Sequence, residues 1–485
     1  VVPRGTTTVV ADPHEVANVC GLDGVLWMLE ASEGLPLDVR IAAPSCVPAT
    51  PLSTAGGSLG VAELEELRRH PRVVALAEVM NVPGVVLGDR AVHDKLRAFQ
   101  GMPVDGHAPG VTGRWLDAYA AAGIGSDHEC ITAAEALEKL RRGMRVFLRH
   151  GSGAKNLVDL LPAVTPATAH RCAFCSDDVH PHDLLAEGHV DALIRLAVDH
   201  GLDPVAAVRI ATINPAEWFR LRDRGAVAPG RRADLVVVSD LTDFRPEMVF
   251  AGGRLAAEEG TTTGEWRGPV ADDRVRRPLR VDPQACDLRV PAASRVRVIG
   301  VVKDQLVTEH LVMELPPRGG ALAADPERDV AKLAVVERHR GSGRAGLGFV
   351  RGLGLRRGAL SGTVAHDHHN LVVAGADDAS MRTAIAALVS AGGGLAAALG
   401  ERVLALVPLP LAGLMSDRPI EEVRDGVELL LAAARELGCT GDPFMTLSFL
   451  ALEVIPSLKL TDRGLVDVER SQLVPLAAPE ADGRS

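Results

Sequence analysis

Seven short apolar runs, nearly all followed directly by polar or ligand-type residues, constrain this chain more than any other feature of its sequence. The runs are Thr6–Ala11, Arg40–Ala43, Val73–Val79, Pro103–Asp105, Ile124–Ser126, Arg145–Leu148 and Cys172–Ser176. Helical patterns such as Val61–Arg69, Thr132–Arg142 and Ala192–His200 separate them. This alternation predicts parallel strands joined by crossover helices. At the run ends stand Asp12-Pro13-His14-Glu15, Pro44-Ser45-Cys46, Glu78 with Met80-Asn81, Asp105-Gly106-His107, Ser126-Asp127-His128-Glu129, Arg149-His150-Gly151-Ser152 and Ser176-Asp177-Asp178. A βα barrel gathers its active site at the C-terminal ends of its strands, whereas loops without a site would scatter Asp and His over both ends. Such a barrel needs eight strands. With seven found, the reading expects the first strand to lie ahead of Val1.

The chain has 485 residues, 47% of them hydrophobic, enough for two or three cores. Residues 1–222 carry the βα alternation. Residues 223–285 change character: Gly225–Gly230 reads as a turn, Ala233–Val238 as a strand, and Glu247–Phe250 with Ala251-Gly252-Gly253 as a hairpin, together a small β-domain. Residues 286–485 mix strands (Val335–Glu337, Leu371–Ala374, Val403–Val407) with helices, including amphipathic Ile420–Leu437 ended by Gly438. The tail after Pro475 reads as disordered. No apolar stretch is long enough for a membrane span, and Val1–Val10 does not read as a signal peptide. The net charge of −11 comes with dispersed Lys and Arg, which argues against a nucleic-acid polymer as partner. Seven scattered cysteines fit a reducing cytoplasm better than a disulfide scaffold. Cys172-Ala-Phe-Cys175 lacks a matching second pair and reads as a buried strand. Homo-oligomerisation is left open.

In an eight-strand count, Glu78 falls on strand four, and His107, His128 and Asp177 end strands five, six and eight. Two imidazoles and two carboxylates suit a divalent cation such as Mn, Fe or Zn, and a carboxylate bridging two ions would make a two-metal hydrolase.

Longer segments carry a resemblance: ADPHEVANVCG (11–21), APSCVPAT (43–50), LAEVMNVPGVV (76–86), DGHAPG (105–110), SDHE (126–129), GSGAKNL (151–157) and CSDDVHPHDLLAEGHVD (175–191). Further on stand GAVAPGRRADLVV (225–237), VVERHRGSG (335–343), SGTVAHDHHNLVVAG (361–375), LPLAGLMSD (409–417) and IPSLKLTDRGLVDV (455–468). Together they resemble the adenine deaminases of the amidohydrolase superfamily over almost the whole chain. The resemblance implies an α/β fold: a (β/α)8-type barrel, here without its first strand, a small β-sandwich domain and an additional α+β C-terminal domain. It implies two divalent ions per site, with Glu78 bridging, His107 and His128 as imidazole ligands and Asp177 as the strand-eight aspartate. A metal-bound hydroxide then attacks C6 of adenine. Asp177 serves as base and afterwards acid, Glu129 protonates the ring, and hypoxanthine and ammonia leave. Asp12, His14, Asp178, His180 and His182 are candidates to orient ligands or substrate, and His366, Asp367 and His369 to line the site. Two departures stand out: no His-x-His pair precedes Val1, and His150 occupies the place of the family's Glu. They keep in view an impaired fragment or pseudoenzyme that binds purine without turning it over. The barrel and sandwich alone leave room for an amidohydrolase acting on another cyclic amide or base, against which the match from Val335 to Val468 argues.

Overall fold

The computed structural model describes residues 1–264, 272–303 and 305–479. All seven runs are strands: β1 (Thr8–Ala11), β2 (Asp38–Ala43), β3 (Val73–Val79), β4 (Val104–Gly106), β5 (Ser126–Asp127), β6 (Arg145–Arg149) and β7 (Cys172–Cys175). β1 to β4 form one parallel sheet in chain order, and β5 to β7 a second. Gly125 links them, because its N–H donates to Val104 O at 3.0 Å while its carbonyl accepts from Arg145 N at 2.8 Å. The fifth strand sits one to two residues later than the sequence indicates. Gly125 lies so close to Trp218 that a Cβ there would fall 2.5 Å from the ring, and pairing with β6 starts only at Ser126. β3 is buried at six of its seven positions, as expected of a parallel strand covered on both faces. Helices follow the strands. Ala133–Arg141 starts at Thr132, whose side chain accepts from Glu135 N, and Pro204–Ala211 starts at Asp203, whose side chain accepts from Ala206 N.

Two compact units divide the chain: Val1–His14 with Leu26–Cys46 and Leu59–Val270, and Glu15–Val25 with Val47–Ser58 and Ala271–Ser485. The first unit ends in an antiparallel sheet of β8 (Leu235–Val238), β9 (Pro246–Ala251), β10 (Arg254–Glu258) and β11 (Thr261–Thr262), in the order β11-β10-β9-β8. Gly252 and Gly253, both at positive φ, turn β9 into β10. Val2 packs into the core of this sheet with Val249, Ala251, Ala256 and Ala257.

The second unit is built on an eight-stranded, mainly antiparallel sheet. Its strand Val330–Val336 is buried at every position. Leu333 and Val335 face a core shared with Leu430 and Ala434 of the helix Ile420–Glu436 and with Leu437, which caps it. Ala334 and Val336 face the opposite core, with Met381, Ile385 and Leu388 of the helix Asp378–Ala391. The period of two thus covers the sheet on both faces. The tail differs from expectation where it is described. Ala477 bridges to Val296 and Ala478 N donates to Arg295 O at 3.0 Å, because Leu476 packs against the core beside them. Residues 480–485 lie outside the described residues. No helix among the described residues is long and apolar enough to cross a membrane.

Candidate functional site

Glu78, near the end of β3, is buried, and two imidazoles converge on one of its oxygens. His107, one residue past β4, places Nδ1 2.9 Å from Glu78 Oε2, and His128, one residue past β5, places Nε2 3.1 Å from the same atom. On the other side, His14 Nδ1 lies 3.5 Å from Glu78 Oε1 and 3.0 Å from Asp12 Oδ2. The loops after β1, β4 and β5 and the end of β3 therefore meet at one carboxylate.

The rings are held by their surroundings. His128 Nδ1 is 2.9 Å from Asp105 Oδ2, and the other oxygen of Asp105 accepts from Ser126 Oγ at 2.6 Å. With Nδ1–H committed to Asp105, His128 turns Nε2 toward Glu78, so that two acceptors face each other unless a proton or a cation lies between them. Burial opposes charge on His128, but Asp105 and Glu78 outweigh it and raise its pKa well above the usual imidazole value. His107 is raised in the same way, burial being overcome by Glu78. Burial pushes Glu78 up, yet His107 and His128 bring it well below the ordinary carboxylate range. Burial raises Asp12 to about 6, with His14 opposing. The cluster demands positive charge at its centre.

Ligand atoms of Glu78, His107 and His128 all lie within 4.8 Å of one another, as do those of Asp12, His14 and Glu78. Atoms sharing one ion at bonds of about 2.1 Å stand roughly 3.0–3.4 Å apart. The separations about Glu78 are 2.9, 3.1 and 3.5 Å, close to that range. The donor set of imidazole nitrogen and carboxylate oxygen suits a first-row divalent cation. Tyr119, the chain's single tyrosine, braces the group. Its hydroxyl donates to Val79 O at 2.6 Å and accepts from His107 N at 3.1 Å.

A second group overlaps the first at His128. Ligand atoms of His128, Glu129 and Asp177 also lie within 4.8 Å of one another. Arg149, the last residue of β6, joins the two carboxylates: Nη2 is 2.8 Å from Asp177 Oδ2, and Nη1 pairs with Glu129. Burial disfavours the guanidinium charge, but Asp177 and Glu129 more than restore it and raise its pKa. Asp177 follows β7 at φ 52°, a left-handed conformation rare outside glycine and typical of constrained functional positions.

The remaining candidates of this unit follow β6 and β7. His150 N donates to Cys175 O at 2.9 Å, and burial, helped by Lys155, lowers the pKa of its ring against the pull of Glu187 and Asp183. Asp178 O accepts from Ser152 N at 2.8 Å, and Ser152 Oγ accepts from His180 N at 2.8 Å. The ring of His180 stacks on His182 with centroids 5.3 Å apart. Gly151 is required here, since a Cβ would lie 2.4 Å from Ser176 O. Burial pushes the thiols of Cys172 and Cys175 up to about 12, which disfavours the thiolate that redox or metal chemistry needs.

In the second unit, His366 and His369 both turn to Glu15. His366 Nε2 is 3.2 Å from Oε1, and His369 Nε2 pairs with Oε2. His369 Nδ1 accepts from Ala365 N at 3.1 Å, so Nε2 carries the hydrogen and donates to Glu15. This tautomer disqualifies His369 Nε2 as a metal ligand. Burial, against the pull of Glu15, holds His369 well below the usual imidazole pKa. His366 stacks on Phe449 at 4.4 Å, and Asp367 is buried beside them in sequence. The sequence reading assigned no role to Arg149, Asp105 or Tyr119. A position at a strand end is the only signal Arg149 and Asp105 carried, and Tyr119 carried none.

Two family models and several known proteins match this chain. The amidohydrolase family matches residues 1–256, and the adenine deaminase C-terminal domain matches residues 305–472. The adenine deaminase of Desulfatibacillum aliphaticivorans is 50% identical over 484 residues, covering 98% of this chain and 84% of that protein. The adenine deaminase of Nitratidesulfovibrio vulgaris (strain DP4) is 52% identical over 477 residues, covering 96% of this chain and 82% of that protein. With identity at that level running through both units, and a histidine–carboxylate cluster at the strand ends, the chain belongs to the adenine deaminase family of amidohydrolases.

Proposed function

We propose that the chain hydrolyses adenine to hypoxanthine and ammonia. Water adds at C6, the exocyclic C–N bond breaks, and the amine leaves with a proton taken from the water. The observation that carries this is the cluster of Glu78, His107 and His128 adjoining Asp177 and Glu129, in a chain about half identical to named adenine deaminases. Glu78, His107 and His128 would hold a divalent cation, and Asp12 and His14 with Glu78 offer a second group of donors. The reading assigns two ions, manganese or iron, with zinc also fitting the donors. A bound cation supplies Lewis acidity, which brings the pKa of water held at it toward neutrality.

The chain's own residues then divide the proton transfers. Asp177 takes the proton from the attacking water and returns it to the departing amine. The second proton of the water, released as the C6 carbonyl forms, ends on the purine ring nitrogen, with the Glu129 carboxylate as its carrier. Arg149 keeps both carboxylates within reach of one substrate. Asp105 fixes the tautomer of His128. The proposal includes the partition into a (β/α)8-type barrel region at 1–222, a small β-sandwich domain at 223–285 and an α+β domain at 286–485. It includes a place in purine salvage in a reducing cytoplasm, where seven free cysteines stay reduced.

Ammonia release from adenine, cytosine and cyclic amides by the Mn(II)-loaded protein tests the reading. Adenine is expected to be turned over, with little release from cytosine. Asp177→Asn is expected to lower kcat by about 10²–10⁴-fold with the protein still folded. Turnover of a cyclic amide with none of adenine rejects it.

A further inference from the structure

Beneath His107 and His128 lies a buried ionic triad that takes no part in the chemistry above. The helix Ala133–Arg141 carries Glu135 and Lys139, one turn apart on its buried face. Lys139 is 0% exposed, Asp127 0% and Glu135 7%. The ammonium of Lys139 has three donors and three acceptors: Ala108 O at 2.7 Å, Glu135 Oε1 at 2.7 Å and Asp127 Oδ1 at 3.2 Å.

Each member grips the backbone next to a ligand. In the loop after His107, Ala108 N donates to Asp127 Oδ2 at 2.8 Å, Ala108 O accepts from Lys139, and Gly110 N donates to Glu135 Oε1 at 2.8 Å. In the loop after His128, Glu129 N donates to Asp127 Oδ1 at 2.8 Å and Ile131 N donates to Glu135 Oε2 at 3.0 Å. The sequence Thr132-Ala133-Ala134-Glu135 reads as a capping box, whose Glu ordinarily turns back to the cap residue. Here Thr132 does accept from Glu135 N, but the Glu135 carboxylate spans the two ligand loops instead. A surface helix cap needs no such bridge and no buried lysine.

We propose that Lys139, with Asp127 and Glu135, is a positioning device that sets the spacing of His107 and His128 and thereby the affinity of the centre for its cation. The inference rests on the metal reading given under Proposed function. Lys139 holds two carboxylates in one place, and each carboxylate holds one amide from the His107 loop and one from the His128 loop. Without the ammonium, two like charges face each other in the interior and must separate or take up protons, and either change loosens the loops. The triad carries a net negative charge under two imidazoles, which also favours a cation above them.

The test uses the full chain with Mn(II) as probe, its free concentration read by electron paramagnetic resonance. Asp127→Asn keeps the size of the side chain but offers one acceptor where Ala108 N and Glu129 N need two. Lys139→Met removes the ammonium. Both are expected to weaken Mn(II) binding by about 10–100-fold, as loss of outer partners of metal ligands does elsewhere. Adenine KM should stay unchanged, and kcat lost at low Mn(II) should return when Mn(II) is raised. Asp38→Asn serves as the control: it removes the negative charge from the part-buried contact of Asp38 with Arg224 at 2.6 Å in the same unit, and should lower Tm while leaving Mn(II) affinity intact. Folded triad variants within twofold of wild type overturn the inference, as does an equal loss in Asp38→Asn. Wild-type protein that takes up no Mn(II) overturns the metal reading itself, and this inference with it.

Discussion

Buried charge in this chain is handled in two ways, and single residues show the difference. Lys139 lies among two carboxylates and a carbonyl, so its charge is matched. Lys459 is equally buried, but its ammonium donates to the carbonyls of Leu306 and Phe449, each at 2.9 Å. Burial alone pulls its pKa from 10.5 to about 7. The folded value lies below the unfolded one, so the protonated side chain favours the unfolded state. The penalty is complete below pH 7, shrinks as pH rises between 7 and 10.5, and is absent above that window. Each tenfold loss of proton affinity is worth about 1.4 kcal/mol, so the penalty amounts to several kcal/mol, partly offset by the two hydrogen bonds. Lys459→Met is therefore expected to raise Tm at pH 7 more than at pH 9. Melting curves at the two pH values check this, and an equal change at both contradicts it.

At the scale of elements, the strand-end pattern was legible because a parallel strand needs a continuous apolar run, and a barrel places its polar loops at one end. The seven runs are seven strands with boundaries displaced by a few residues at most. The loops were less legible, because their conformation depends on neighbours far away in sequence. Gly106 on β4 illustrates this. A Cβ there would lie 2.7 Å from Ser126 O and 2.7 Å from the Tyr119 hydroxyl, so glycine is required by the close approach of β5 and the helix behind it. Gly106→Ala is expected to destabilise the protein by about 1–3 kcal/mol, as overpacking does, and to weaken Mn(II) binding, because the displaced groups adjoin His107 and His128. Thermal melts and Mn(II) titration read the two effects separately. A variant with wild-type Tm and Mn(II) affinity shows that the strands can move apart at no cost.

Across the whole molecule, the two compact units do not follow one another along the chain. Glu15–Val25 and Val47–Ser58 leave the βα alternation and fold with residues after 270. Within that second unit, Asp462 accepts from Thr54 N at 2.8 Å and Thr54 Oγ1 at 2.7 Å, while Glu453 accepts from Thr50 at 2.7 Å and Ser53 at 2.6 Å. Asp462→Asn is expected to release the Val47–Ser58 segment and speed proteolytic cleavage within it, without changing the cleavage pattern elsewhere. Limited proteolysis with mass spectrometry of the fragments checks this. Local hydrophobic period and residue type were enough to reveal the strands and the side chains at their ends, while longer segments such as 361–375 and 455–468 carried the resemblance to the family, because that information is written in continuous stretches of chain. Beyond the gathering of Glu78, His107, His128 and Asp177 that the strand ends and the resemblance implied, which side chains meet was left open. Arg149 joining Glu129 to Asp177, Tyr119 tying Val79 to His107 and Lys139 fastening two loops all depend on contacts between residues at least 20 positions apart, or on a hydroxyl or ammonium whose partner the chain reaches only once folded. Those contacts were settled by folding in three dimensions, because a buried charge or hydroxyl must find its partner in space, and neither composition nor periodicity encodes where that partner lies.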